Sequence, residues 1–268
     1  MNKLSNSVAA IFVLLMAGAA AAEEIKIGGS GAGLGTMQLL ANAFAKQSPD
    51  SQATLVPSLG SSGSIKALAA GAIDLAVTSR PMKADERALG VTEIEYGRTP
   101  FVFVVSATSK VTAISAQQVA EIYAGRMVSW PDGSPIRIVL RPAGDIDTDI
   151  LRSMSPEIGR ALSAAQQRRG IAVSMTDQDA ADDIQRMPGT IGVSSLSLVI
   201  SEKRPLRALK LDGVEPTPGN IASGAYGHYK QLFLVTGAKP PAAAQRFIAF
   251  IRSPAGRKVL AQTGHWIQ

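Results

Sequence analysis

The chain has 268 residues and a formal charge of +6, with 46% hydrophobic and 18% charged residues, so it is globular and long enough for two cores. It has no Cys, which excludes disulfides and thiol chemistry. No long Lys/Arg run interleaved with aromatics is present, which argues against nucleic acid as a partner. The mildly basic balance favours small anions instead.

Residues 1–22 read as a signal peptide. Lys3 gives a positive start, Ala9 to Ala19 form a short apolar run, and Ala20, Ala21 and Ala22 precede Glu23 as a cleavage site. The alternative, a membrane anchor, would need a longer apolar run. Export without disulfides suits a bacterial periplasm, and removal of Lys3 leaves a charge of +5.

Next comes an expected strand, Glu24 to Gly31, breaking into a Gly-rich loop. A helix follows, with Met37, Leu40, Ala41 and Phe44 on one face. Gln52 to Gly60 reads as a second strand, "SSGSIKALAAG" as a Ser-capped helix, and Ala72 to Ser79 as a third strand. The β-α-β-α-β order implies a parallel sheet with helices on its faces. Thr99 to Ser109 is a long apolar strand, Ser115 to Gly125 a capped helix, and Ile136 to Gly144 a strand. Arg152 to Arg169 reads as one amphipathic helix. Gly189 to Val199 reads as strand and turn, and Lys230 to Gly237 as a strand. "PPAAAQRFIAFIRS" closes this series as a helix with Phe247, Phe250 and Ile251 on one face.

Three loops share one form, a strand end followed by small polar residues and a helix: Gly29 to Gly35, Gly60 to Ser64, and "RPAGDIDTD" at Arg141 to Asp149. Helix N-termini offer free N–H groups and partial positive charge, so convergence of these loops would make an oxyanion pocket. The bland reading is that Ser and Gly only cap helices and turn corners. The alternating Gly29, Gly31, Gly33 and Gly35 lack the pattern of a nucleotide-binding loop. No catalytic residue and no metal ligand can be assigned. His228 and His265 have no ligand spacing, and no Ser can be paired with a base. His265 reads as a terminal packing or surface residue.

Taken in order, "GSSGSIKALAAGAIDLAVTSRPMKADE", "SAQQVAEIYAGRMVSW", "MPGTIGVSSLS" and "FIAFIRSPAGRKVLAQTGHW" resemble the phosphate-binding proteins of bacterial ABC importers over nearly the whole chain after residue 22. The resemblance implies an α/β, two-lobed type II periplasmic binding protein, each lobe a mixed sheet flanked by helices, with two crossover strands and no cofactor. Lobe 1 would comprise 23–105 and 228–268, and lobe 2 residues 106–227. The crossings would fall near Val104 to Ser109 and Gly227 to Leu232. It implies a monomeric, soluble, periplasmic protein that binds a small oxyanion, most simply phosphate, and delivers it to an inner-membrane ABC permease. The alternative is a relative repurposed as a periplasmic sensor or accessory protein without phosphate.

The same resemblance implies the site. Gly31 and Ala32 would donate backbone N–H groups, Ser61 and Ser79 hydroxyls, and Arg141 the main positive charge. After Arg141 and Gly144 the family continues with neutral donors, where this chain has Asp145, Ile146 and Asp147. A carboxylate about 4 Å from a ligand charge costs on the order of 4 kcal/mol at an effective dielectric near 20. Three outcomes stay open. The aspartates cap the next helix and point away; or one accepts a proton from the ligand; or the pocket has lost phosphate.

Overall fold

The computed structural model describes residues 23–268, and the expected signal peptide lies outside the described residues. The chain begins β1 (Glu23–Gly29), α1 (Gly31–Ala45), β2 (Ser51–Leu55), α2 (Gly60–Ala69), β3 (Leu75–Thr78) and a short α3 (Ala84–Arg87). The 16-residue strand β4 (Val91–Ser106) follows, then β5 (Ala113–Ile114), α4 (Ala116–Ala124) and β6 (Arg137–Leu140). Next come α5 (Ile146–Met154), α6 (Pro156–Gln167), β7 (Ala172–Val173), α7 (Asp177–Arg186) and β8 (Thr190–Ser195). The remainder is α8 (Leu196–Ser201), β9 (Leu206–Ala208), β10 (Lys210–Leu211), α9 (Pro218–Ala222), β11 (Tyr229–Gly237), α10 (Ala242–Arg252) and α11 (Pro254–Gln262).

One hydrogen-bonded path, β2-β1-β3-β11-β4-β8-β6-β7, runs through the molecule, with β9 also on β4. Within it, β1 is parallel to both β2 and β3, and β6 is parallel to both β7 and β8. The two parallel groups are joined through β11 and β4, which are antiparallel to each other. β4 changes partners along its length. Val91 to Pro100 pair with β11, whereas Phe101 to Val105 pair with β8. The change of partner therefore falls between Pro100 and Phe101, a few residues before the stretch Val104 to Ser109. β11 begins at Tyr229, opposite Pro100.

The apolar run of β4 is explained by burial on both faces. Phe101, Phe103 and Val105 pack with Tyr123, Trp130, Ile158 and Leu162, while Val102 and Val104 pack with Val139, Ile184 and Leu198. Around β1 and β3 a separate core joins Ile25, Ile27, Leu75 and Val77 to Met37, Leu40 and Phe44 of α1 and to Phe247, Phe250 and Ile251 of α10. The anticipated apolar faces of α1 and α10 are thus the packed ones. A smaller core of Ile65, Leu68, Ala76 and Val235 covers the other side of that sheet.

The single helix expected over Arg152 to Arg169 is two helices. Ser155 is extended (φ −160°, ψ 159°), accepts a hydrogen bond from Ile158 N–H as the cap of α6, and is followed by Pro156 in the first turn. Proline forbids the helical conformation of the residue before it, so the break is local chemistry. His265 is 3% exposed, a packing residue, with its ring beside that of Tyr96.

Candidate functional site

The loops after β1, β2, β3, β6 and β7 all leave the carboxyl ends of parallel strands and meet in one cleft of about 200 Å³. This is where open α/β sheets hold ligands. Its lining includes Ser30, Ser61, Ser79 and Arg80 from one side, and Arg141, Gly144, Asp145 and Asp177 from the other.

On the first side, α2 begins at Gly60, whose φ of +65° suits a residue without Cβ. The N-cap position is Leu59, so no side chain caps this helix end. Its first N–H groups lack intrahelical partners and lie at the cleft, with the positive end of the helix dipole. Ser61 Oγ accepts from Ser79 N–H at 3.1 Å and lies 3.3 Å from Ser79 Oγ, which ties the second and third loops together. Arg80 also borders the cleft but is committed elsewhere. It makes two bonds to Glu86, at 2.7 and 2.6 Å, and one to Ser62 Oγ at 2.7 Å. Arg80 chiefly, with the Lys83 N–H and Ser62, holds the Glu86 carboxyl down at about 2 against the effect of burial.

The opposite side is an ion network. Arg141 is 5% exposed. It donates from Nη1 to Ser174 O at 2.6 Å and from Nη2 to Asp145 Oδ2 at 2.9 Å. Arg141 Nε makes no hydrogen bond and lies 3.7 Å from Asp147 Oδ2, and Nη2 is 4.0 Å from Asp177 Oδ2. Asp145 is the N-cap of α5, accepting from Asp147 N–H at 2.9 Å through its other oxygen. Asp147 is not at the cleft surface. It is buried and contacts Lys230 Nζ at 2.5 Å. Lys230, fully buried on β11, also donates to Asp177 Oδ1 at 3.0 Å. Ser30 Oγ donates weakly, at 3.5 Å, to the other Asp177 oxygen.

Burial is the largest influence on Asp147 and pushes it up to about 6; Lys230 opposes this, while Asp177 and Asp145 add to it. For Asp177 burial acts in the same direction, but Lys230 and Arg141 outweigh it and hold the carboxyl below its usual range. Lys230 is raised, because Asp147 and Asp177 overcome the desolvation that would otherwise discharge it. Two cations thus face three carboxylates around one end of the cleft.

Of the residues expected from sequence, Ser61, Ser79, Arg141 and Asp145 share the cleft. Gly31 and Ala32 are buried and outside its lining. Gly31 packs under α7, where Gln178 Nε2 donates to its carbonyl oxygen at 3.2 Å, and Ala32 O accepts from Ser197 Oγ of α8 at 2.8 Å. A Cβ on Gly31 would lie 2.2 Å from Gln178 Oε1 and 2.9 Å from Asp177 Cβ. A side chain at position 31 would therefore collide with α7. Asp147 lies behind the cleft in the ion network.

Sequence reasoning missed Asp177 and Lys230. "TDQDAADDIQR" carries a signal for the first, a Thr176 cap with Asp179 three residues on, which starts α7 beside the cleft. Lys230 had no signal, since a lone Lys at the start of an apolar strand reads as exposed.

With this geometry in place, comparison with known proteins gives the family. The model of the PBP superfamily domain matches residues 16–255. The chain belongs to the PBP superfamily. Two curated relatives are similar to it: the phosphate-binding protein PstS of Borreliella burgdorferi, 24% identical over 76% of this chain and 76% of that one, and PstS of Bacillus subtilis, 22% identical over 87% and 76%. Among solved structures, a substrate-binding protein of Clostridium perfringens assigned to phosphate ABC transport, with bound phosphate, aligns with a TM-score of 0.78 at 24% identity, covering 92% of this chain and 100% of that one. The molybdate-binding protein of Azotobacter vinelandii aligns with a TM-score of 0.64 at 15% identity, covering 91% and 99%. These likenesses establish the type II periplasmic-binding-protein fold.

Among the described residues no helix is long and apolar enough to cross a membrane, and no group of three or more His, Cys, Asp or Glu side chains could hold a metal ion.

Proposed function

We propose that this PBP-superfamily chain is a periplasmic solute-binding protein that captures phosphate in the cleft and presents it to an inner-membrane ABC permease. The observation that carries this reading is the meeting of the uncapped α2 N-terminus, Ser61 and Ser79 with Arg141 across one cleft. An oxyanion there would take N–H and O–H bonds from one wall and the guanidinium from the other. Its arrival would draw together the two halves that supply those walls. The phosphate-binding names of the two PstS relatives support the choice of anion.

Within this reading, lobe 1 is residues 23–100 with 229–268 and lobe 2 is residues 101–228, a division supported by the partner change in β4. A leader peptide at residues 1–22, a monomeric state and the absence of enzymatic activity complete the proposal.

The test is titration calorimetry with phosphate, sulfate and molybdate at two pH values. Phosphate binding that is lost in Arg141→Gln and weakened about fivefold or more in Ser61→Ala is expected, since each removes at least one hydrogen bond to the ligand. A wild-type protein that binds none of the three anions would refute capture and favour a sensor or accessory role.

A further inference from the structure

Arg141 reaches the cleft with its positive charge already answered. Of the three nearby carboxylates only Asp145 is within hydrogen-bond distance, at 2.9 Å, while Asp147 and Asp177 stand at 3.7 and 4.0 Å. The latter two are turned to Lys230, at 2.5 and 3.0 Å. Asp145 is also the most accessible member of the network, its side chain 23% exposed against 3% for Arg141, 1% for Asp147, 7% for Asp177 and none for Lys230. Its second oxygen is anchored separately, on the Asp147 N–H.

We propose that Asp145 is a tethered competitor of the ligand for Arg141, so that binding requires its carboxylate to give up the guanidinium. This rests on the oxyanion reading of the cleft and adds the residue that sets its affinity. Three features support it. The contested Nη2 is the guanidinium nitrogen that Asp145 occupies, since Nη1 donates to Ser174 O and Nε faces buried Asp147. The Asp147 N–H keeps Asp145 at the cleft after release, so its local concentration stays high. Lys230 holds Asp147 and Asp177, so Asp145 is the carboxylate left hydrogen-bonded to Arg141, and its removal leaves two carboxylates facing two cations. An incoming anion therefore meets a cleft whose main cation must first be unmasked.

The test uses the wild type, Asp145→Asn and Asp145→Ser, each titrated with inorganic phosphate and with sulfate in the calorimeter at neutral pH and low salt. Both replacements retain an oxygen that can cap α5, so the helix start survives. The expected result is phosphate binding tighter by roughly tenfold to a hundredfold in both variants, the range of one charged hydrogen bond. Sulfate should gain by a similar factor. A wild type that binds nothing beside variants that bind phosphate would refute capture by the native chain while supporting Asp145 as the group that occludes the anion seat. Wild-type binding that is unchanged or weaker in both variants, with melting temperatures preserved, would overturn the proposal and leave the oxyanion reading standing. Silence from all three proteins would overturn both. Should Asn destabilise the fold, the Ser variant decides alone.

Discussion

Lys230 makes the sharpest demand on the fold. Replacing it with Met keeps the length of the side chain and removes a charge that is wholly out of water, between Asp147 at 2.5 Å and Asp177 at 3.0 Å. Both carboxylates are themselves buried. Removing one partner of a buried ion pair typically costs about 3–5 kcal/mol, because the partner left behind is desolvated and unpaired. At roughly 2–4 °C per kcal/mol for a chain of this size, the melting temperature of Lys230→Met should fall by about 6–20 °C. The deficit should depend on pH. Asp147 is already raised to about 6 by burial, and without Lys230 it rises further. A carboxyl whose folded value is raised binds its proton in the folded state first, so it adds stability as pH falls through that value. The gap between variant and wild type should therefore shrink between pH 7.5 and pH 5. Calorimetric melts at both values read this directly. The double variant Lys230→Met, Asp147→Asn should recover part of the loss, since the orphaned charge is gone. A single variant melting within 2 °C or so of the wild type at pH 7.5 would refute the reasoning, as that is less than about 1 kcal/mol.

Other expectations follow from the same contacts. Glu86→Gln breaks the two-bond pair with Arg80. Because Glu86 is held near 2, its stabilisation is complete above its ordinary value of 4.5 and is lost as pH falls through about 2, so the variant should be less stable at neutral pH and flatter over that acid window. Gly31→Ser places a side chain against Gln178 and Asp177 and should push α7 off α1. We expect phosphate affinity lower by about tenfold or more, in line with the 1–3 kcal/mol cost of overpacking, and a larger radius of gyration by small-angle scattering. His265 is lowered to about 4 chiefly by burial, so the folded state takes up its proton later than the unfolded chain does. Stability should fall as pH drops from 6.5 towards 4, and His265→Gln should remove that part of the fall in urea titrations at pH 7 and pH 5.

The fold was legible wherever one residue pattern sufficed. The spacing of Met37, Leu40 and Phe44 marks the buried side of α1, and the unbroken apolar run of β4 marks a strand covered on both faces. Ser61, Ser79 and Arg141 could be placed together because each follows a strand end, a property of local sequence. What escaped depends on distant pairings. The interior position of Asp147 on α5 goes with its contact to Lys230, which is 83 residues away in sequence, on β11. The loop and helix start at Gly31 and Ala32 can be read from sequence, whereas α7 lying over Gly31 cannot. Of the three outcomes left open for the aspartates, the first holds in part, since the capping is there but the pointing away is not for Asp145. Asp145 caps α5 and also faces the cleft through Arg141, while Asp147 does neither job at the surface.

The two segments proposed as crossings are hydrogen-bonded to each other, Tyr229 opposite Pro100 and Lys230 opposite Thr99. Two lobes divided as proposed would hang not on two independent loops but on a two-stranded ribbon. Such a ribbon resists stretching and sideways shear, since either would break its ladder, and yields most readily in its twist. Opening and closing would then be close to a one-dimensional motion, a turn about the axis of that ribbon. Lys230 sits on this axle, and the carboxylates it holds belong to α5 and α7, beyond it. Rotation would carry the ammonium relative to its partners, so the ionic cluster would act on the angle of such a hinge as a spring acts on a door, with a rest position set by charge.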